Sequence, residues 1–192
     1  MTDPNPITTS KADLTKNWME HFSRGIESKR LIDLKLIASH NSTTAQVEHH
    51  ARRITMCCQC QDTSIYDQLC QGVRFLDFRY GNQDFHAKCP FFEFVSDKLI
   101  GPLSSRSTLY NPPREATDVI ARHTLGRGPS IQLYLSEIKK FLKETHQEFL
   151  IIKLREEFPC TADQRNYFIG LLQENFPEKI LITSKDLLEW FD

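Results

Sequence analysis

The chain has 192 residues and carries 24 Lys+Arg against 25 Asp+Glu, a net charge of −1. That length suits one domain with its own core, and that charge excludes both the basic footprint of a nucleic-acid binder and a polybasic membrane tether. A composition 40% hydrophobic and 26% charged belongs to a folded chain rather than a disordered one.

Residues 1–10 read as a flexible polar tail and residues 11–192 as one domain. Ser10 to Asp13 resembles a capping box and opens a helix running to about Phe22. Leu31 to Ala38 alternates and then turns apolar, which predicts a strand. It runs into the polar cluster Ser39-His40-Asn41-Ser42. Thr63 to Cys70 predicts a helix capped by Asp62 or Thr63 and closed by Gly72. Val73 to Arg79 predicts a second strand, with Val73, Phe75, Asp77 and Arg79 on one face. Asp84 to Cys89 reads as a short return strand. Residues 90–117 are aromatic and rich in Pro and Ser without a period, so they read as an insertion, of a size for a lid or a membrane-contacting loop.

Asp118 to His123 predicts a third strand, and Gly126-Arg-Gly-Pro129 a break. Ile131 to Leu142 predicts an amphipathic helix, Phe149 to Leu154 a fourth strand and Thr161 to Asn175 a helix. A short strand at Ile180–Ile182 and a helical turn at Ser184–Trp190 follow. Strands alternating with helices imply an α/β fold with a mostly parallel sheet. No stretch reaches the roughly 18 apolar residues of a transmembrane helix. The first residues lack the charged-then-apolar order of a signal peptide. The expected location is cytoplasmic or peripheral at a membrane.

Of the six cysteines, Cys57-Cys58-Gln59-Cys60 and His86-Ala-Lys-Cys89 together offer tetrahedral zinc donors. The adjacency of Cys57 and Cys58 fits that spacing poorly, so free thiols are expected, and no disulfide frame.

In parallel α/β folds chemistry gathers at the carboxyl ends of strands. The polar residues there are His40 and Asn41 after the first strand, Asp77 and Arg79 late in the second, and His123 at the end of the third. Arg155, Glu156 and Glu157 follow the fourth, where they also suit a solvated strand end. Two His with an Asp and an Arg, and no obvious Ser or Cys nucleophile motif, suit acid–base chemistry on a phosphoester.

The same residues carry a resemblance. Trp18-Met19 with LIDLKLIASHNS (31–42), then Gln61 to Leu69 followed by GVRFLDFR (72–79), then SEIKKFLKETHQEFLIIKLREEF (136–158), are similar to the X domain of phosphatidylinositol-specific phospholipase C. The resemblance implies a TIM-type (β/α) barrel, here the N-terminal (X-domain) half or an incomplete barrel, since such barrels take about 250 residues. It implies cleavage of a phosphatidylinositol-type lipid at a membrane surface to diacylglycerol and a cyclic inositol phosphate. His40 would be the general base and His123, preferred over His86, the general acid. Arg79 would stabilise phosphate charge and Asp77 would orient a His or the Arg. Asn41 and Arg155 would bind substrate.

Calcium-dependent members hold their ion with the Asn after the first His, two acids around the second strand and a Glu after the fourth. Asn41 and Asp77 match, so Ca²⁺ on those two is the alternative. Arg79 and Arg155 stand in the other two positions, which points to no metal cofactor, since Ca²⁺ needs six to eight oxygens and a guanidinium repels it. A metal-dependent phosphodiesterase of the glycerophosphodiesterase kind would want paired acids where Asp77-x-Arg79 stands. A rival outside enzymes is a catalytically inactive module of the same fold that binds lipid headgroups or a protein.

Overall fold

The computed structural model describes residues 10–46, 58–82, 119–123 and 126–177. Residues 1–9, His86, Cys57, Cys89, the expected insertion at 90–117 and the expected elements after 180 lie outside the described residues. The strands are β1 (Ala38–Ser39), β2 (Phe75–Asn82), β3 (Val119–His123), β4 (Gly126–Ser130) and β5 (Ile151–Phe158). The helices are α1 (Lys11–Lys16), α2 (Trp18–His21), α3 (Ser23–Ile26), α4 (Ile65–Cys70), α5 (Ile131–Glu144) and α6 (Ala162–Asn175).

The sheet is mixed, which corrects the expectation of a mostly parallel one. β2 pairs in parallel with β1 and β5, and antiparallel with β3, which pairs antiparallel with β4. β5 follows β2 from Phe75 to Gly81 and so occupies one edge. The other edge is divided. β1 pairs at Phe75 and Leu76, β3 at Tyr80 to Asn82. Between them a 3-10 turn, Ser42–Thr44, packs on β2, and the Thr43 hydroxyl donates to the Arg79 carbonyl at 3.3 Å.

The alternation of β2 sends Leu76 and Phe78 into the helical layer and Asp77 and Arg79 to the opposite face. The core joins Leu76 and Phe78 to Ile65 and Leu69 of α4, to Ile131, Tyr134, Leu135, Ile138 and Phe141 of α5, and to Phe168 and Leu172 of α6. The stripe on α5 repeats at helical spacing, as its sequence predicts. Phe78 meets Tyr134 edge to face at 5.8 Å, and the Tyr134 hydroxyl donates to the Thr43 carbonyl at 2.8 Å. The same helix thus carries the core and anchors the turn beside the site. Thr161 and Gln164 form a reciprocal capping box at the start of α6.

Three further expectations are corrected. The helix expected from Ser10 to Phe22 is broken into α1 and α2, with α3 following it and Ser10 capping α1 through Asp13 N–H. The strand expected at Leu31–Ala38 reduces to Ala38–Ser39, and Leu31–Asp33 is a 3-10 turn with Leu31, Ile32 and Ile37 exposed. Alternation alone predicted a strand there, but β2 offers β1 only its first two residues. The expected break at Gly126–Pro129 is strand β4. A Cβ on Gly128 would stand 2.9 Å from the Ala121 Cβ, so the glycine permits this close approach.

Among the described residues no helix is long and apolar enough to cross a membrane.

The N-terminal helices are fastened by one buried ion pair. Arg74 donates from Nε to Glu148 at 2.7 Å, and both side chains are fully buried. Its other nitrogens donate to the carbonyls of Leu69, Val73 and Lys16, and its guanidinium lies 4.8 Å from the Phe141 ring. Glu148 in turn accepts from the backbone N–H groups of Met19 and Glu20 at the start of α2.

Candidate active site

The two-residue strand β1 delivers the chain to the exposed side of β2 and stops. Gln68 of α4 holds the turn that follows, accepting from the Ser39 hydroxyl and donating to the Ser42 and Thr63 carbonyls. Gln61 donates to the His40 carbonyl at 2.7 Å. Asn41 takes the left-handed conformation, φ 48°, which Asn tolerates better than most side chains. This reversal aims its backbone N–H at Asp77 Oδ2, at 3.3 Å.

Around Asp77 the site assembles. His40 Nδ1 lies 3.2 Å from Asp77 Oδ2, with the His40 side chain 68% exposed. Arg79 Nε donates to the same oxygen at 3.3 Å. Burial opposes ionisation of Asp77, but the Asn41 amide and the Arg79 guanidinium outweigh it and hold the carboxyl below its ordinary pKa. Arg79 Nη1 donates to both oxygens of Glu157 at 3.3 Å. A guanidinium therefore occupies the ground between the two carboxylates.

His123 enters from the other end of the β2 edge, on antiparallel β3. Its Nδ1 lies 3.6 Å from Glu157 Oε1, and its Nε2 lies 3.1 Å from Asn41 Nδ2. Burial and the Arg79 cation push its pKa below the usual imidazole value, against the pull of Glu157. The Asn41 amide also meets Cys60 Sγ at 3.1 Å, and Cys60 N–H donates to the Thr44 hydroxyl. Asn41 Oδ1, Asp77 Oδ1 and His123 Nδ1 are buried and lack a hydrogen-bond partner among the described residues. Two of these are acceptors, the kind of atom that a substrate hydroxyl satisfies.

The structure thus brings His40, Asn41, Asp77, Arg79 and His123 together. Arg155 stands at the margin, 56% exposed, with Nε 3.9 Å from Glu157 Oε2. Glu157 was expected only as one of the polar residues after the fourth strand, with no role given to it, and Cys60 only as a zinc donor. The signal for Glu157 was its place on the strand face of Arg155, hidden because the expected strand stopped at Leu154. β5 runs on to Phe158, and its register shifts after the Tyr80–Glu156 pair, so that Gly81 faces Phe158. Glu157 is the extra residue of this bulge. Glu156 turns to α6 and pairs with Arg165 at 2.8 Å, while Glu157 turns to the site. A Cβ on Gly81 would meet Phe158 atoms at 3.0 to 3.1 Å, so a larger residue there would push Phe158 back by a few tenths of an ångström. The C-x-x-C that marks Cys60 as a zinc donor does not foretell this place, which it reaches through contact with Asn41 and Thr44.

No curated protein matches the chain. Three structures of the phosphatidylinositol-specific phospholipase C of Staphylococcus aureus share its fold. One, from a study of that enzyme's membrane binding, has a TM-score of 0.55 at 16% identity and is covered to 43% by 85% of this chain. A single-substitution variant gives 0.55 at 15%, with 85% of this chain on 42% of that one. A double variant gives 0.56 at 15%, with 88% on 44%. The chain spans less than half the length of these structures. The family model described as phosphatidylinositol-specific phospholipase C, X domain, matches residues 34–189, and the chain belongs to that family.

Proposed function

We propose that this chain carries the catalytic half of a phosphodiesterase that cleaves phosphatidylinositol-type lipids by His acid–base catalysis, without a metal. The observation that carries the proposal is the pair of histidines, each next to a carboxylate, with Arg79 bonded to both carboxylates. His40, oriented by Asp77, takes the proton of the inositol 2-hydroxyl. That oxygen attacks phosphorus and the bond to the glycerol oxygen breaks. His123, entering the step as the imidazolium with Nδ1–H toward Glu157, gives the leaving oxygen its Nε2 proton, so diacylglycerol departs and a cyclic inositol phosphate remains. Imidazole suits both roles because its ordinary pKa lies near neutrality. Arg79 offsets charge growing on the phosphoryl group, as oxyanion-type donors do. The Asn41 amide leaves His123 when substrate arrives and keeps Cys60 as its other partner. Arg155, exposed at the margin, meets substrate phosphate or inositol.

The donor set does not suit calcium. Asp77 and Glu157 both engage the Arg79 guanidinium, a cation that repels Ca²⁺ from their oxygens. The strands described here would form part of a (β/α) barrel acting peripherally at a membrane surface. One observation favours a second reading, a non-catalytic module that binds lipid headgroups: both ring nitrogens of His123 already face protein groups.

The test is ³¹P NMR of phosphatidylinositol vesicles incubated with the protein in EGTA, beside vesicle sedimentation. A cyclic phosphodiester signal is expected. Activity lost in EGTA and restored by Ca²⁺ would overturn the metal-free reading, and binding with no cleavage under either condition would favour the module.

A further inference from the structure

Residue 41 is an amide, so the group at His123 Nε2 carries no charge. Its Nδ2 is placed to donate to Nε2, which makes that nitrogen the acceptor and leaves the ring proton on Nδ1. Nδ1 faces Glu157 at 3.6 Å. Among the described residues no ion pair joins His123 to Asp77, whose Oδ2 meets His40, Arg79 and the Asn41 backbone. Among the described residues the carboxylate beside His123 is Glu157, which is 14% exposed and stands on a bulge packed closely against Gly81. It grips Arg79 Nη1 with both oxygens at 3.3 Å, so one side chain touches both the ring and the guanidinium.

We infer that Glu157 is the carboxylate partner of His123, a positioning residue that keeps the ring in its Nδ1–H form and Arg79 turned to the site. The inference rests on the reaction proposed above only in giving His123 a use. The labour is divided: Asp77 serves His40, Glu157 serves His123, and Arg79 ties the two carboxylates into one unit. Carboxylates behind imidazoles fix tautomer and stabilise the charged ring in other sites of this logic. The groups facing His123 are Glu157 from β5, Arg79 from β2, and Asn41 and His40 from the turn after β1. Among the described residues Glu157 is the anionic one of these, so its removal has one sign. The ring then feels burial and Arg79 uncompensated, and protonation becomes harder.

The experiment reads the ring, not turnover, so it stands or falls apart from the proposed activity. Histidine side chains are titrated by ¹H–¹³C and long-range ¹H–¹⁵N NMR in the whole chain, with His123 assigned from His123→Gln. The wild type is expected to show the Nδ1–H tautomer at neutral pH. In Glu157→Gln the His123 midpoint is expected to move to lower pH while that of His40 holds. In Glu157→Asp, which keeps the charge, the shift should be smaller. An Nε2–H tautomer in the wild type, a measurement that needs no variant to fold, would overturn the inference. So would a His123 midpoint unmoved in a folded Glu157→Gln protein.

Discussion

Replacing Arg79 with Lys separates catalysis from simple attraction of anions. The substitution keeps the positive charge. It removes the planar fork that donates from Nε to Asp77 and from Nη1 to both Glu157 oxygens, all at 3.3 Å. A single ammonium cannot reproduce those two directions. With Asp77 and Glu157 only 12% and 14% exposed, one of them loses a charge-assisted bond. Leaving such a group unsatisfied costs about 1–3 kcal/mol of stability. The larger effect falls on turnover. If Arg79 meets the phosphoryl group as its charge grows, the loss matches that of an oxyanion donor, about 10²–10³-fold in kcat, with a smaller change in vesicle binding. The assay is cleavage of a soluble phosphatidylinositol analogue beside vesicle sedimentation, with a urea melt to confirm folding. Turnover unchanged in a folded Arg79→Lys protein would remove Arg79 from the mechanism. Binding lost in proportion to turnover would make its part uniform binding rather than transition-state stabilisation.

His40→Ala and His123→Ala are each expected to cut cleavage by about 10²–10⁴-fold with the melt retained; the same loss from His86→Ala, with His123→Ala active, would refute the placement of the second histidine. Glu148→Ala strips the fully buried Arg74 of its counter-ion and α2 of an acceptor for two N–H groups, and should cost about 3–5 kcal/mol in urea unfolding; a cost under about 1 kcal/mol would contradict this. His123 is held below its ordinary 6.5, so the unfolded chain binds that proton more readily. Its contribution to stability is present above pH 6.5 and is lost as the pH falls toward the folded value. Asp77 does the same at lower pH, its contribution being lost as the pH falls from 3.8 through the depressed folded value. Urea midpoints measured from pH 7 downward should fall less steeply in His123→Gln than in the wild type, and equal slopes would refute the assignment.

Much of the helical layer was legible because burial there follows one period. The α5 stripe repeats at helical spacing, and α6 begins at a capping box written as Thr161 and Gln164. His40, Asp77 and Arg79 were legible for a related reason: alternation puts Asp77 and Arg79 on one face, and His40 follows a strand that must end near it. What failed depended on partners remote in sequence. LIDLKLIA looks like a longer strand than β1 because the sequence does not show how little edge β2 offers. Arg155-Glu-Glu looks like a strand end because charges there suggest solvent, although Glu156 is drawn to Arg165 and Glu157 to Arg79. A bulge is a mismatch between two strands, and neither sequence shows it alone.

The mixed sheet also accounts for where the site lies. A wholly parallel neighbour along the free edge of β2 would bury the stretch from Asp77 to Arg79 in a continuous ladder. Here β1 ends opposite Leu76 and β3 begins opposite Tyr80, so that stretch meets a turn instead. Its polar groups are met by the Asn41 N–H at Asp77 and the Thr43 hydroxyl at the Arg79 carbonyl, which leaves the side chains of Asp77 and Arg79 turned toward chemistry. The two histidines then approach from opposite ends, His40 as the chain leaves β1 and His123 at the close of β3. A parallel β3 could not bring its last residue back beside Asp77, because its carboxyl end would lie with that of β2, beyond Asn82. The antiparallel pairing places a second imidazole across Arg79 from the first, the arrangement that the proposed division into base and acid would use.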